Sequence, residues 1–137
     1  MSDLIPYLMF PGNCEEALSF YASCLNGEVK DISRFKDAPQ EGLPPNFGEK
    51  IMHGGVHFGN SVMFASDCPP DRLPTQGNNV YLSIEMKDAD EMNKAFEKLS
   101  AGGKVTMPLQ DQFWGARFGM LVDKYGFSWM FNHTLKK

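Results

Sequence analysis

At 137 residues, with 42% hydrophobic and 22% charged residues, the chain has the size and composition of one ordinary globular domain. A formal charge of −4, with no internal cluster of Lys and Arg, argues against nucleic acid as a partner, because phosphate neutralisation needs such clusters. No apolar run approaches the ~20 residues that span a bilayer, and the acidic start Met1-Ser2-Asp3 lacks the basic stretch of a secretory signal.

In chain order, residues 4–10 form an apolar segment of strand length. Asn13 then opens a helix as its N-cap, with Glu16 three positions on in a capping-box arrangement. Cys14, Ala17, Tyr21 and Cys24 follow at helical spacing, and Gly27 supplies the stop. A further strand begins at Val29. The Pro/Gly-rich stretch from Lys36 to Glu49 is expected to be a mobile loop. Residues 51–58 and 62–65 then flank Gly59-Asn60, a dipeptide suited to a hairpin turn.

After a Pro-rich linker from Cys68 to Gly77, the pattern repeats. Residues 80–86 match the first strand, and Asp88-Ala89-Asp90-Glu91 repeats the capping box. Ala89, Met92, Phe96 and Leu99 repeat the stripe, and Gly102-Gly103 the stop. Val105 opens the next strand, and residues 118–122 and 127–131 flank the turn Asp123-Lys124-Tyr125-Gly126. Each half thus reads β-α-β-β-β: module one at 1–67, linker at 68–78 and module two at 79–137, within a single domain. One helix per four strands cannot build a doubly wound parallel sheet, which needs a helix after nearly every strand. An α+β fold of mixed sheets with helices on one face fits; a ferredoxin-like fold with accidental symmetry is the alternative.

The three cysteines form no CxxC pair, and Cys14 and Cys24 stand about 15 Å apart along one helix. The chain reads as reduced and cytoplasmic. Cys14 and Cys24 follow the buried stripe, whereas Cys68, in the linker, is the thiol expected to be exposed.

The duplication resembles a known superfamily in specific residues. They are Pro6-Tyr7-Leu8, Phe10 and Gly12 leading to Glu16-Ala17 and Phe20-Tyr21, then Met52-His53-Gly54 and Ser66-Asp67. The most specific block is Pro108-Leu109-Gln110, Phe113-Trp114-Gly115, Phe118-Gly119, Asp123-Lys124-Tyr125-Gly126 and Trp129-Met130-Phe131-Asn132. With these the chain resembles the PhnB-like branch of the vicinal oxygen chelate (glyoxalase/bleomycin-resistance/dioxygenase) superfamily. The resemblance implies two βαβββ modules with curved mixed sheets around a cavity, and a homodimer. Members of the branch have carried the label of a 3-demethylubiquinone methyltransferase. Here Gly102-Gly103 ends a helix instead of opening one, and Gly54-Gly55 lies inside an apolar strand, so a nucleotide-cofactor turn is not legible.

Many enzymes of the superfamily hold a divalent metal with His and Glu on both modules. Those positions fall on Pro6, near Phe64, within residues 80–82, and on Met130, where no imidazole or carboxylate stands. Neither metal nor other cofactor is expected. His53 and His57 share a strand face about 13 Å apart on regular geometry, and a bulge at Gly54-Gly55 could shorten that distance.

His53 is the lead candidate for proton transfer, since imidazole titrates near neutrality. Gln110, Phe113 and Trp114, with Gly115 as a permissive turn residue, offer a polar and aromatic pocket mouth. Phe64 and Met130, standing at ligand positions, are expected to face the cavity and to bind ligand. Trp129 and Phe131 then read as core, and Tyr7 as core under the first helix. Glu85 reads as a solvent-side strand residue, Asp123 as a turn former and His133 as a solvated end residue. The favoured function is a metal-free small-molecule-binding protein. The alternative is an enzyme of lyase, isomerase or dioxygenase type using His53.

Overall fold

The computed structural model describes residues 2–38 and 42–135. Met1, part of the loop expected to be mobile (residues 39–41) and Lys136-Lys137 lie outside the described residues. The first half folds as β1 (Tyr7–Phe10), α1 (Cys14–Leu25), β2 (Glu28–Arg34), β3 (Ile51–Phe58) and β4 (Ser61–Asp67). The second repeats the order with β5 (Tyr81–Glu85), α2 (Ala89–Ser100), β6 (Lys104–Gln112), β7 (Ala116–Val122) and β8 (Ser128–Thr134). They form two compact units, residues 1–75 and 76–137, which part within the Pro-rich linker.

Each unit holds one four-stranded mixed sheet, ordered β1-β4-β3-β2 and β5-β8-β7-β6, and neither sheet closes. The first pair in each order is parallel and the others antiparallel. Helix α1 covers one face of the first sheet with Ala17, Leu18 and Tyr21, all buried. Phe10 of β1 and Val56 of β3 are buried in the same unit. In the second unit Met92, Phe96 and Leu99 of α2 and Leu121, Trp129 and Phe131 of the sheet are buried, with Phe96 edge-on to Phe131 at 5.4 Å. Period-3.6 stripes meet period-2 strands here, and the opposite face of each sheet is left for other work.

The duplication extends to a bulge. From Lys30↔Gly55 to Ser33↔His53, β2 advances three residues while β3 advances two. From Met107↔Met120 to Gln110↔Phe118, β6 and β7 do the same. The extra residue bends the strand and re-aims its side chains. Asp31 takes the left-handed conformation at the first bulge (φ 61°). Opposite the bulges lie Gly54 and Gly119, where a Cβ would come within 2.6 Å of Ile32 and 2.9 Å of Leu109 respectively. Glycine there makes room for an apolar side chain beside the helix. The bulge lies on β2, and β3 itself pairs with β4 in unbroken register from Gly54 to Phe58. Nothing in β3 therefore draws His53 and His57 together.

Several expectations are corrected. Asp88 caps α2, its carboxylate accepting from the Glu91 amide at 2.9 Å, but Asn13 makes no side-chain cap on α1. The buried Asp67 does that work from the end of β4: Oδ1 accepts from the Cys14 amide and Oδ2 from the Ile51 amide, each at 2.9 Å. The left-handed residue ending α1 is Asn26 (φ 55°), while Gly27 is required because a Cβ would stand 2.6 Å from the His57 carbonyl oxygen. The 36–49 loop is tied down where it is described. Phe35 and Phe47 are buried against each other at 4.9 Å, and the Lys36 amide donates to the Gly48 carbonyl.

Cys68 is buried, not exposed, because its amide extends the β1–β4 pairing by donating to the Phe10 carbonyl at 2.7 Å. His133 is half-buried rather than a solvated end residue, and its Nδ1 donates to the Met86 carbonyl at 2.7 Å.

Candidate functional site

Tyr7 is the main departure. β1 buries Leu8 and Phe10, so alternation turns Tyr7 (46% exposed) and Met9 to the face away from α1. Parallel pairing sets Tyr7 beside Phe64, and antiparallel pairing sets Phe64 beside Gly55. A Cβ at Gly55 would meet the Phe64 ring at 3.0 Å, so the ring lies across the glycine and reaches the next position, His53. His53 and Phe64 have centroids 4.7 Å apart, and Tyr7 lies 5.7 Å from His53 and 6.3 Å from Phe64. The Tyr7 hydroxyl and His53 Nδ1 share a hydrogen bond of 3.0 Å.

The result is an imidazole oriented by a phenol beside a phenyl ring, on the open face. Among the described residues no hydrogen bond engages Nε2. When the phenol donates, Nδ1 is the acceptor and Nε2 carries the proton, ready to donate to an oxygen. Farther along β3, His57 Nε2 stands 3.1 Å from the Asp31 carboxylate. The two histidines thus have separate partners.

The remaining predicted residues lie in the second unit. Phe118 and Met120 of β7 pair with Asn132 and Met130 of β8, and Gln110 of β6 pairs with Phe118. Trp114, 53% exposed on the β6–β7 turn, lies edge-on to Phe118 at 5.8 Å. Phe113 sits at the tip, 96% exposed, and touches Trp114 edge-on at 5.2 Å. His53 and Phe64 thus come together in one unit, and Gln110 and Trp114 around Phe118 in the other. Tyr7, Phe118 and Asn132, which stand beside these side chains, were not among the residues expected there. Strand alternation was the available signal for Tyr7, with Leu8 and Phe10 taken for the core.

The superfamily's usual metal does not fit these residues. Phe64 and Met130 carry no hard donor, and among the described residues no three of His, Cys, Asp or Glu could hold an ion together. A depression of about 530 Å³ lies by the start of α1, away from His53. Its Glu15 and Asp67 are already engaged, by Arg34 and by backbone amides.

Two mixed four-stranded sheets, each backed by one helix, define the glyoxalase/bleomycin-resistance fold. A glyoxalase/bleomycin resistance protein/dioxygenase family enzyme from Burkholderia phytofirmans shares it, with TM-score 0.63 at 11% identity over 94% of this chain and 95% of its own. Within that superfamily the chain belongs to the PhnB-like family described as 3-demethylubiquinone-9 3-methyltransferase, whose model matches residues 2–131. Protein YjdN of Escherichia coli K12 is 30% identical over 138 residues, 94% of this chain and 93% of its own. The crystal structure of protein PA1353 from Pseudomonas aeruginosa has TM-score 0.87 at 34% identity, covering 99% and 100% of the two chains. A PhnB protein from Bacillus cereus, described as a putative 3-demethylubiquinone-9 3-methyltransferase, has TM-score 0.79 at 27% identity, over 97% and 100%.

Proposed function

We propose that the chain binds a small, flat, partly apolar molecule on the open face of its first sheet, without a divalent ion. The observation that carries this reading is the Tyr7–His53 hydrogen bond beside Phe64. The phenol fixes the imidazole, the phenyl ring offers a wall, and Nε2 is left to donate to a carbonyl, phenolate or carboxylate oxygen. Few polar anchors among apolar walls is the usual makeup of a small-molecule site. Metal-free operation is supported by Phe64 and Met130 at positions where chelating relatives carry ligands.

Methyl transfer, the reaction in the family description, is not the reading favoured here. Gly102-Gly103 closes α2, and Gly54-Gly55 is packed inside β3 against Leu18, Ile32 and Phe64. Neither pair opens a helix onto a nucleotide. An enzymatic reading keeps one specific support: a phenol–imidazole pair can relay a proton to a bound substrate. A cytoplasmic location is proposed with it, supported by three scattered cysteines that form no CxxC pair. A homodimer is proposed because each sheet leaves edge strands, β2 and β6 among them. Light scattering should give about twice the chain mass.

A ligand-observed NMR fragment screen tests the binding reading. Planar fragments bearing an acceptor oxygen should bind, and His53→Ala should weaken them at least about tenfold. Hits indifferent to both His53→Ala and Phe64→Ala would refute it. Elemental analysis should find no stoichiometric Zn, Ni, Mn or Fe.

A further inference from the structure

The second unit carries its own row of side chains on the open face. Strand pairing aligns Gln110 of β6, Phe118 of β7, Asn132 of β8 and Glu85 of β5. The duplicated bulge makes Gln110–Phe118 the counterpart of Ser33–His53, and β5–β8 pairing makes Glu85–Asn132 the counterpart of Met9–Ser66. Where the first unit has an imidazole the second has a phenyl ring, and where the first has a thioether the second has a carboxylate. The same face has acquired the opposite polarity.

Glu85 is exposed to solvent on this face, as its strand position implied, and is oriented within the row. Its Oε1 accepts from Asn132 Nδ2 at 2.7 Å, and its Oε2 from the Thr134 amide at 3.2 Å and hydroxyl at 3.4 Å. These three donors are neutral. Among the described residues no Lys, Arg or His forms an ion pair with Glu85, unlike Glu15, Glu49 and Asp31. A carboxylate has about four acceptor directions, so one is left open, and among the described residues no ion pair offsets the charge. Beside Asn132 stands Phe118, with the half-exposed Trp114 ring against it at 5.8 Å. An oriented anion in one row with a half-buried and a half-exposed aromatic ring is an arrangement that suits an organic cation.

We infer that the Glu85–Asn132–Phe118–Trp114 face is a second binding site, selective for a small aromatic or alkyl ammonium or amidinium group. It involves none of the residues of the His53 site and stands or falls separately.

The test titrates the full chain with benzamidine, following the Trp114 indole signal in ¹H–¹⁵N spectra. Saturable shifts in the millimolar range are expected, with benzoate producing none. Glu85→Gln keeps the side-chain shape and removes the charge, and should weaken benzamidine about tenfold. Phe118→Leu keeps the carboxylate and removes the ring, and should weaken it too. Both variants are compared only after their spectra show the folded pattern. No saturation, equal response to benzoate, or unchanged affinity in either variant overturns the inference.

Discussion

The Tyr7 hydroxyl and His53 Nδ1 stand 3.0 Å apart, joined across 46 positions of sequence. Tyr7 lies on β1 and His53 on β3, with β4 between them, so the contact exists only once all three strands are paired. Tyr7→Phe should leave stability within about 1 kcal/mol, because an exposed hydrogen bond contributes little net. It should release the imidazole from one tautomer, read as a change in the His53 ring ¹⁵N shifts. Unchanged shifts would show that the phenol does not hold the ring.

The two tryptophans should separate binding from stability. Trp129 is buried and its indole N–H donates to the Asp123 carboxylate at 2.8 Å. Trp129→Ala should cost roughly 3–5 kcal/mol in urea denaturation. Trp114→Ala, at a half-exposed turn position, should cost less than about 1 kcal/mol while weakening ligands of the second unit. An unfolded Trp114→Ala protein would instead make Trp114 core.

Asp67 should be among the most sensitive positions of the first unit. Its buried carboxylate satisfies the first amide of α1 and the first amide of β3. Asp67→Ala leaves two buried donors unpaired and should cost roughly 2–4 kcal/mol, measured by equilibrium denaturation. Asn13→Ala, which loses no side-chain cap, should cost far less.

All three cysteines should resist modification in the native state. Burial, and next the Asp67 carboxylate, push the Cys14 and Cys68 thiols above their ordinary range. Thiolate is the reactive form, so Ellman's reagent at mildly alkaline pH should label them slowly until denaturant is added. Unfolded thiols ionise near about pH 8.5 while these stay protonated in the fold. Stability is therefore retained below that pH and falls as pH rises above it. Fast labelling of Cys68 in the native protein would contradict its burial.

The sequence by itself determined the architecture. Capping boxes and helical stripes repeat 75 residues apart and hairpin turns about 65 apart, and they are local signals, complete within a few turns of chain. The family followed from short motifs of the same kind, and the burial of Trp129 and Phe131 from alternation on one strand. Tertiary structure decided which face each strand shows and what caps what. Tyr7 alternates equally well toward either face until Leu8 and Phe10 are packed under α1. Asn13 has the right residue type for a cap, yet Asp67 reaches the helix first because β4 ends beside it. Glu85 reads as solvent-facing from its strand position and is exposed, but its partners Asn132 and Thr134 stand 47 and 49 positions away and were not legible. Such contacts depend on strand register, and register is set by packing across the whole sheet rather than by any local stretch of sequence.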